Sequence, residues 1–126
     1  AILRLVPHQR NFRTTLRAVK LWAARRHLSC FPVGFPGGVA WAILTARVCQ
    51  LYPNAAPSAL FSRFFSTWHQ WKFGTPALPV ELTDQAGPTD LPASLAAADW
   101  SKRNTHVMPV ITPCRPRLCA THSVCR

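Results

Sequence analysis

Two helical patterns meet in the stretch VGFPGGVAW, residues 33–41, and the rest of the chain is arranged around it. Its glycines and prolines end one helix and begin another, and a glycine permits close backbone approaches that a Cβ would block. A helix N-terminus carries free N–H groups and partial positive charge, which suit an anion. The stretch therefore predicts a loop–helix junction that either faces a phosphate or a flat ring, or only allows two helices to pack tightly. Taken by itself, the pattern favours tight packing.

The segment before this junction predicts a basic helix, with Asn11 as the N-cap and an end near His27. One face is apolar at helical spacing and is made of Phe12, Leu16, Val19 and Ala23. Arg13, Arg17 and Lys20 repeat at the same spacing on the neighbouring stripe. Such a stripe is usually a solvated face, but no acidic residue lies on the helix to pair with it. Arg13 and Arg17 are therefore candidates for contacts to phosphate or RNA.

Two more helices are predicted after the junction. The first runs from Gly38 to about Tyr52 and is apolar nearly all round, which is typical of the central helix of a small bundle. The second runs from Ser58, as N-cap, to about Trp71. It carries an apolar and aromatic stripe of Leu60, Phe64, Phe65, Trp68 and Trp71. We interpret this stripe as core rather than as a base-stacking platform. Residues 1–7 read as a strand end or a lead-in.

The composition changes after residue 73, where prolines forbid long helices. The chain is therefore predicted to be one mainly α domain over residues 1–113. Within it, residues 1–73 form a small helical bundle, 74–104 a Pro-rich loop segment and 105–113 an extended segment. The tail, residues 114–126, shows no usable periodicity.

The charge balance is strongly basic, with 15 Lys and Arg against 4 Asp and Glu and a formal net charge of +11. Such an excess favours a polyanionic partner, and we rank nucleic acid or a nucleotide ahead of an acidic membrane surface. No apolar run approaches roughly 20 residues, so no membrane span is expected. No signal peptide pattern is visible at the first residues. The odd count of 5 cysteines indicates free thiols in a reducing compartment.

The acidic residues exclude one class of catalytic centre. Residues 1–80 contain no Asp or Glu, and the four carboxylates are scattered as Glu81, Asp84, Asp90 and Asp99. A two-metal phosphoryl-transfer site needs paired carboxylates, so we expect no catalytic residue and no such metal site on this chain. The Gly-rich turn also lacks the Gly-Lys-Ser/Thr of a P-loop.

A second metal hypothesis rests on four soft ligands near the end of the chain: Cys114, Cys119, His122 and Cys125. Their C-x4-C-x2-H-x2-C spacing matches no common zinc arrangement, so zinc is disfavoured. A nucleophilic Cys–His pair ranks lower still, because nothing in the sequence supplies its orienting partner.

Several segments resemble the central domain of eukaryotic nuclear poly(A) polymerases. They are NFR at 11–13, LRAVKLWA at 16–23, GFPGGVAWA at 34–42, ARVCQLYPNA at 46–55, MPVITP at 108–113, and Pro116 with CATHSV at 119–124. The block from residue 34 to 55 is long and specific, whereas residues 74–104 match poorly. Cys119 and His122 fall within these segments, which weakens the zinc hypothesis further.

The resemblance implies a function. Enzymes of this family add adenylates from ATP to the 3′ end of pre-mRNA in the nucleus, using Mg²⁺ or Mn²⁺. They combine a nucleotidyltransferase domain carrying three catalytic aspartates, a helical central domain and an RNA-binding domain. Because this chain resembles only the middle part, we expect it to be a fragment. Its partners would be ATP, RNA and the two missing domains, and residues 114–126 would lead into the RNA-binding domain.

The resemblance also assigns site residues. Lys20 resembles the family lysine that contacts the ATP phosphates. Gly38 and Val39 resemble the pair that lies against the nucleotide, with Val39 against the adenine face. Thr112 resembles a threonine near the incoming base.

Three positions depart from the family pattern. Ala24 replaces a second lysine one turn after Lys20, Ser29 replaces a phosphate-contacting tyrosine, and Phe31 replaces an asparagine that reaches the nucleotide. A lost charge-assisted hydrogen bond costs on the order of 1.5–3 kcal/mol, so these changes predict weaker nucleotide binding.

Two other hypotheses remain open at this point. The chain is either a non-catalytic basic module that binds RNA through charge without binding ATP, or a domain that folds only when docked to its neighbours. The first predicts RNA affinity that falls steeply with salt.

Overall fold

Three α-helices pack against one another in the computed structural model, which describes residues 1–29, 34–73, 80–82, 108–113 and 120–121. Helix α1 spans Gln9–Arg25, α2 spans Gly38–Leu51 and α3 spans Pro57–Gln70. A short 3-10 helix, Ile2–Arg4, precedes them. The prediction of a mainly α fold is confirmed, and within the described ranges the only β pairing is one isolated bridge. None of the described helices has the length and apolarity that a membrane crossing would need.

The helix ends correct several predictions. Helix α1 begins at Gln9 with His8 as its N-cap, three residues before the start predicted with Asn11 as N-cap. Asn11 lies inside the helix, and its Nδ2 donates to the Ala55 carbonyl at 3.4 Å. Asn11 is a good cap by type, but here its amide makes a tertiary contact instead. The helix ends at Arg25 rather than near His27, because His27 adopts a left-handed φ of 57°.

The predicted N-cap of α3 was also wrong. The helix begins at Pro57, with Ala56 as N-cap and no side-chain cap, so Ser58 lies inside the first turn. Proline fits the first helical position because the N–H that it lacks would have no intrahelical partner there. Helix α2 ends within one residue of its prediction, and the strand end considered for residues 1–7 is a 3-10 turn instead.

Helix α2 forms the centre of the core. Its buried residues fall on every side of the helix and are Ala40, Trp41, Ile43, Leu44, Thr45, Ala46, Val48 and Cys49. Thr45 satisfies its hydroxyl within the helix by donating to the Trp41 carbonyl at 2.8 Å. This burial confirms the prediction of a central helix.

The outer helices each bury one face against α2. From α1 these residues are Phe12, Thr15, Val19 and Ala23, while the predicted core residue Leu16 is only half-buried. From α3, Leu60 and Phe64 are buried, and the rest of the predicted aromatic stripe is half-buried and packs against the core. Edge-on ring contacts join the helices, with the centroids of Trp22 and Phe65 4.7 Å apart. The interpretation of the stripe as core therefore agrees with the packing.

Two extended segments pair beside the bundle. Val80 and Val110 form a parallel bridge, in which the Val80 N–H donates to the Pro109 carbonyl and the Ile111 N–H donates to the Val80 carbonyl, both at 2.9 Å. The hydroxyl of Thr121 donates to the Met108 carbonyl and accepts from the Val110 N–H. These contacts fix the position of residues 108–113, which include Thr112.

A half-buried charge links these segments to the bundle. Arg47 of α2 donates from Nη1 to Oε1 of Gln50 at 3.3 Å, and Gln50 donates to the Leu5 carbonyl at 2.7 Å. Burial lowers the pKa of Arg47, and the nearby Glu81 carboxylate opposes that shift. The network therefore joins the N-terminal turn, α2 and residues 80–82.

Several predictions fall outside the described residues. They concern most of the Pro-rich segment 74–104, the tail 114–126 apart from residues 120–121, Phe31, and the four soft ligands Cys114, Cys119, His122 and Cys125. Cys49, the cysteine that lies in the described part, is a buried free thiol.

Candidate functional site

The basic stripe of α1 is solvent-exposed along its length. Arg13, Arg17 and Lys20 are all exposed, and their spacing places them on one side of the helix. Because residues 1–80 contain no carboxylate, no acidic side chain from the three helices neutralises this stripe. The stripe is therefore an accessible positive surface.

The C-terminal end of the stripe, at Lys20, lies beside the start of α2. The Lys20 Nζ atom lies 3.9 Å from the position that a Cβ on Gly38 would occupy. Gly38 is the first residue of α2, and its N-cap, Gly37, makes no side-chain hydrogen bond. The ammonium group and the free N–H groups of the first turn are thus neighbours, and both attract anions. We call this place the Lys20–Gly38 junction, and both of its groups suit an anionic ligand.

An apolar surface adjoins this positive point. Val39 follows Gly38 in the first turn of α2 and is 57 % exposed, so its side chain is accessible to a ligand. A cation beside an exposed aliphatic surface suits a ligand that combines an anion with a flat apolar ring. The Gly38 backbone does not have a positive φ, so its value as glycine lies in the space that it leaves at the junction.

Thr112 comes from a different part of the fold. It follows the Val80–Val110 bridge and is half-buried. The four residues predicted to contact the nucleotide are thus held by α1, α2 and the segment 108–113. The structure brings Lys20 and Gly38 close together.

Two of the three positions that depart from the family pattern lie among the described residues. Ala24 is exposed on α1 one turn after Lys20, and Ser29 is exposed after the end of that helix. Neither side chain carries a charge, so neither adds to the positive charge that Lys20 brings to the junction.

The described residues do not fit a catalytic metal site. They include a single carboxylate, Glu81, which lies near Arg47. They hold no group of three or more His, Cys, Asp or Glu side chains placed to share a metal ion. Mg²⁺ and Mn²⁺ prefer oxygen ligands, so no step can be assigned to a metal held by these residues.

Sequence reasoning missed one feature of the helical packing. Trp68 was interpreted as a core residue, and no cavity was predicted beside it, but Trp22, Trp41 and Trp68 all line a cavity of about 330 Å³ between the three helices. Nothing in the periodicity distinguishes a filled core from one that leaves such a space.

Comparison with known proteins gives the family. The profile described as the poly(A) polymerase central domain matches residues 11–126. The poly(A) polymerase pla1 of Schizosaccharomyces pombe is 44% identical over 128 residues, which cover 98% of this chain and 21% of the relative. The poly(A) polymerase of Dictyostelium discoideum is 43% identical, and the nuclear poly(A) polymerase 4 of Arabidopsis thaliana is 42% identical. These two alignments also cover 98% of this chain, and they cover 15% and 16% of the respective relatives.

The chain therefore spans about a fifth or less of the length of these relatives. The resemblance predicted from the sequence motifs is confirmed over nearly the whole chain. On the extent of the profile match and of these alignments, the chain belongs to the poly(A) polymerase central domain family.

Proposed function

We propose that this chain is the ATP- and RNA-binding part of a polynucleotide adenylyltransferase, which adds AMP from ATP to the 3′ end of pre-mRNA. The observation that carries the proposal is the Lys20–Gly38 junction, where an ammonium group lies beside the open N-terminus of α2. The similarity to poly(A) polymerases supports this function over a basic module that binds RNA alone.

Each residue of the site has a proposed role. Lys20 and the first turn of α2 bind the phosphates, while the exposed Val39 lies against the adenine ring. Thr112 lies near the base, at a position fixed by the Val80–Val110 bridge. Arg13 and Arg17 continue the positive surface along α1 and bind RNA or phosphate.

The catalytic step belongs to another part of the enzyme in this proposal. Catalytic aspartates with Mg²⁺ or Mn²⁺ would act from a nucleotidyltransferase domain, because the described residues here do not fit such a site. This chain would orient ATP and the RNA end toward them. The nuclear names of the Arabidopsis relatives support a nuclear location.

The first test is ATP binding to the chain by calorimetry, alongside a Lys20→Ala variant. The matched control is Arg4→Ala, which also removes one exposed cation. Arg4 lies toward the opposite end of α2, since the adjacent Leu5 carbonyl accepts a hydrogen bond from Gln50. We expect Lys20→Ala to weaken ATP binding about tenfold or more, because a charge-assisted hydrogen bond is lost, and Arg4→Ala to leave it unchanged.

The outcome separates the two functional classes. If a folded chain binds RNA with steep salt dependence but shows no affinity for ATP, the basic-module alternative replaces the proposal. Equal losses in Lys20→Ala and Arg4→Ala would show that net charge, rather than the junction, determines ATP affinity.

A second test measures whether the chain supports the adenylyl-transfer reaction in a complete enzyme. This chain would replace the aligned segment of the Schizosaccharomyces pombe poly(A) polymerase, and RNA extension with ATP would be measured. We expect extension to be retained and to decrease when the replacement carries Lys20→Ala. Equal rates of RNA extension with and without Lys20→Ala would contradict the role assigned to Lys20.

A further inference from the structure

The cavity of about 330 Å³ between the helices takes no part in the proposed nucleotide site. In the described part of the chain its lining is almost wholly apolar and includes Trp22, Leu28, Phe35, Phe64, Phe65 and Met108. None of the residues proposed to contact the nucleotide belongs to this lining. The cavity is partly open to solvent, so a side chain of another molecule can enter it.

The cavity lies where the C-terminal ends of α1 and α3 meet. Trp22 is in the last turn of α1, and Trp68 and His69 are in the last turn of α3. Leu28 forms part of one wall, and its N–H donates to the Ala23 carbonyl at 2.8 Å, which folds the chain back beside α1. The residues at these two helix ends therefore determine the charge around the cavity.

Basic residues cluster at both helix ends. Arg25 and Arg26 follow Trp22 by three and four residues, and a helix places residues at this spacing side by side. His69 lines the cavity, and Lys72 follows the end of α3. All of these basic side chains are exposed. We call Arg25, Arg26, His69 and Lys72 the basic rim.

The basic rim keeps its positive sign despite the partial charges of the helix ends. A helix C-terminus carries about half a negative charge, so the two ends together bring about −1. Arg25, Arg26 and Lys72 each bring a full positive charge. No carboxylate precedes Glu81 in the chain, and Glu81 interacts with Arg47. The rim therefore favours an anionic partner.

The apolar lining disfavours a nucleic-acid base as the group that enters. A base would bury carbonyl and amino groups against rings and aliphatic side chains that offer them no hydrogen bond. Trp22 and Phe65 are half-buried and pack edge-on, with their centroids 4.7 Å apart, so they form walls rather than an exposed stacking platform. A hydrocarbon side chain meets neither obstacle.

The size of the cavity limits what can fill it. An apolar cavity of about 150 Å³ holds benzene, so one about twice as large accommodates a phenyl ring together with an aliphatic side chain. Tyrosine would bring a hydroxyl that finds almost no acceptor, so phenylalanine fits better. Two side chains four residues apart lie on one face of a helix and can enter the same cavity.

We propose that this cavity docks an acidic segment of a separate protein, in which a phenylalanine and a leucine lie four residues apart. The two apolar side chains enter the cavity, and the surrounding carboxylates pair with the basic rim. The segment belongs to a separate protein because the carboxylates of this chain lie three or more residues apart and form no acidic cluster. The docking surface is independent of the proposed adenylyltransferase function.

Calorimetry on the full 126-residue chain tests the proposal with the peptide DEEFEEELEED. Three altered peptides separate its features. Replacing phenylalanine by alanine should weaken binding about tenfold or more, and replacing it by tyrosine about fivefold. The uncharged peptide NQQFQQQLQQN should bind about tenfold more weakly at low salt, and this difference should shrink as salt is added.

Variants of the chain locate the docking surface. Leu28→Gln places a polar group in the lining and should weaken binding of DEEFEEELEED about tenfold. Leu21→Gln is the matched control, because it makes the same change at a 60 % exposed position outside the described lining, and it should leave binding unchanged.

A second pair of variants tests the basic rim. Arg26→Gln should weaken binding of DEEFEEELEED about threefold, as expected for an exposed ion pair. Arg10→Gln is its control, because Arg10 is also exposed but lies about 24 Å away along α1, beyond the Debye length of about 8 Å at physiological salt. Thermal melts show that each variant is folded. If Leu28→Gln does not fold, Arg26→Gln and Lys72→Gln carry the comparison.

Absence of binding by DEEFEEELEED would overturn the proposal, and so would equal binding by the peptide that carries alanine. Equal losses in Leu28→Gln and Leu21→Gln would show that the cavity is not the docking surface. An adenylate octamer RNA serves as the rival ligand. If its affinity falls in Leu28→Gln but not in Leu21→Gln, base binding replaces the proposed protein partner.

Discussion

At Gly38, one substitution should act on binding and on stability in different directions. Gly38→Ala places a methyl group 3.9 Å from the Lys20 Nζ, an ordinary contact that the packing can accept. Alanine also favours a helix over glycine by up to roughly 1 kcal/mol. We therefore expect a melting temperature that is unchanged or slightly higher. ATP affinity should fall about fivefold, since the methyl group takes up space at the junction. Joint thermal melts and calorimetry check both effects.

Cys49 makes the stability of the bundle depend on pH in the alkaline range. Burial raises the pKa of its thiol from 9.0 to about 11, because the core does not solvate a thiolate. The folded state therefore holds the proton more tightly than the unfolded state. Its stabilising contribution is complete below pH 9 and is lost as the pH rises toward 11.

The comparison that isolates this group is wild type against Cys49→Ala. We expect the wild-type chain to lose stability relative to the variant between pH 9 and pH 11, as measured by urea unfolding. Parallel pH profiles of the two proteins would contradict this assignment. All other ionisable groups are present in both proteins, so their effects cancel in the comparison.

The three helices lack side-chain caps at their N-termini. His8, Gly37 and Ala56 occupy the N-cap positions of α1, α2 and α3, and none makes a side-chain capping hydrogen bond. No acidic residue lies in any first turn. Each helix therefore depends on tertiary packing for its start.

Capping α3 should stabilise the protein measurably. Ala56→Ser supplies an oxygen for the free N–H groups and should raise the free energy of unfolding by about 1 kcal/mol. Ala59→Ser is the control, because it adds the same hydroxyl at an exposed position inside the helix, where serine lowers stability slightly. A gain in both variants would show that capping is not the cause.

The missing caps also explain which helix features the sequence could predict. An apolar stripe identified α1 and α3, and a continuous apolar run identified α2, because core burial determines where a helix lies. The starts of α1 and α3 were mispredicted because Asn11 and Ser58 are good caps by residue type but are not used as such. Asn11 instead donates to Ala55, a contact 44 residues away that no local pattern reveals.

The candidate site could likewise be predicted only in part, because its residue types are evident in the sequence but their proximity depends on tertiary packing. Lys20 and Gly38 were identified by family resemblance, and the charge pattern alone favoured an anionic ligand only moderately. Their proximity arises from the packing of α1 against α2, which is not encoded in spacing along either helix. The cavity among the tryptophans could not be predicted either, since it depends on how the side-chain volumes fill the bundle.

Across the whole molecule, the Arg47 network joins segments that are far apart in sequence. The Glu81 carboxylate opposes the effect of burial on the Arg47 pKa, so removing it leaves a half-buried cation poorly compensated. We expect Glu81→Gln to lower the free energy of unfolding by about 1–3 kcal/mol. A cycle with Arg47→Met tests the pair, because the double variant should lose less than the sum of the single variants. Additive losses would show that the two charges do not interact.

Because most of α2 is buried, its amide protons should exchange with deuterium at very different rates along the helix. Residues Ile43–Cys49 are buried in the centre of the bundle apart from Arg47, so their amide protons should exchange only when the whole domain opens. The exposed first turn, at Gly38 and Val39, can fray without that cost. An anion bound there would slow exchange at the first turn alone. The first turn, where the anion site is proposed, and the buried centre of α2 should thus open at different rates, and mutations can change one while leaving the other intact.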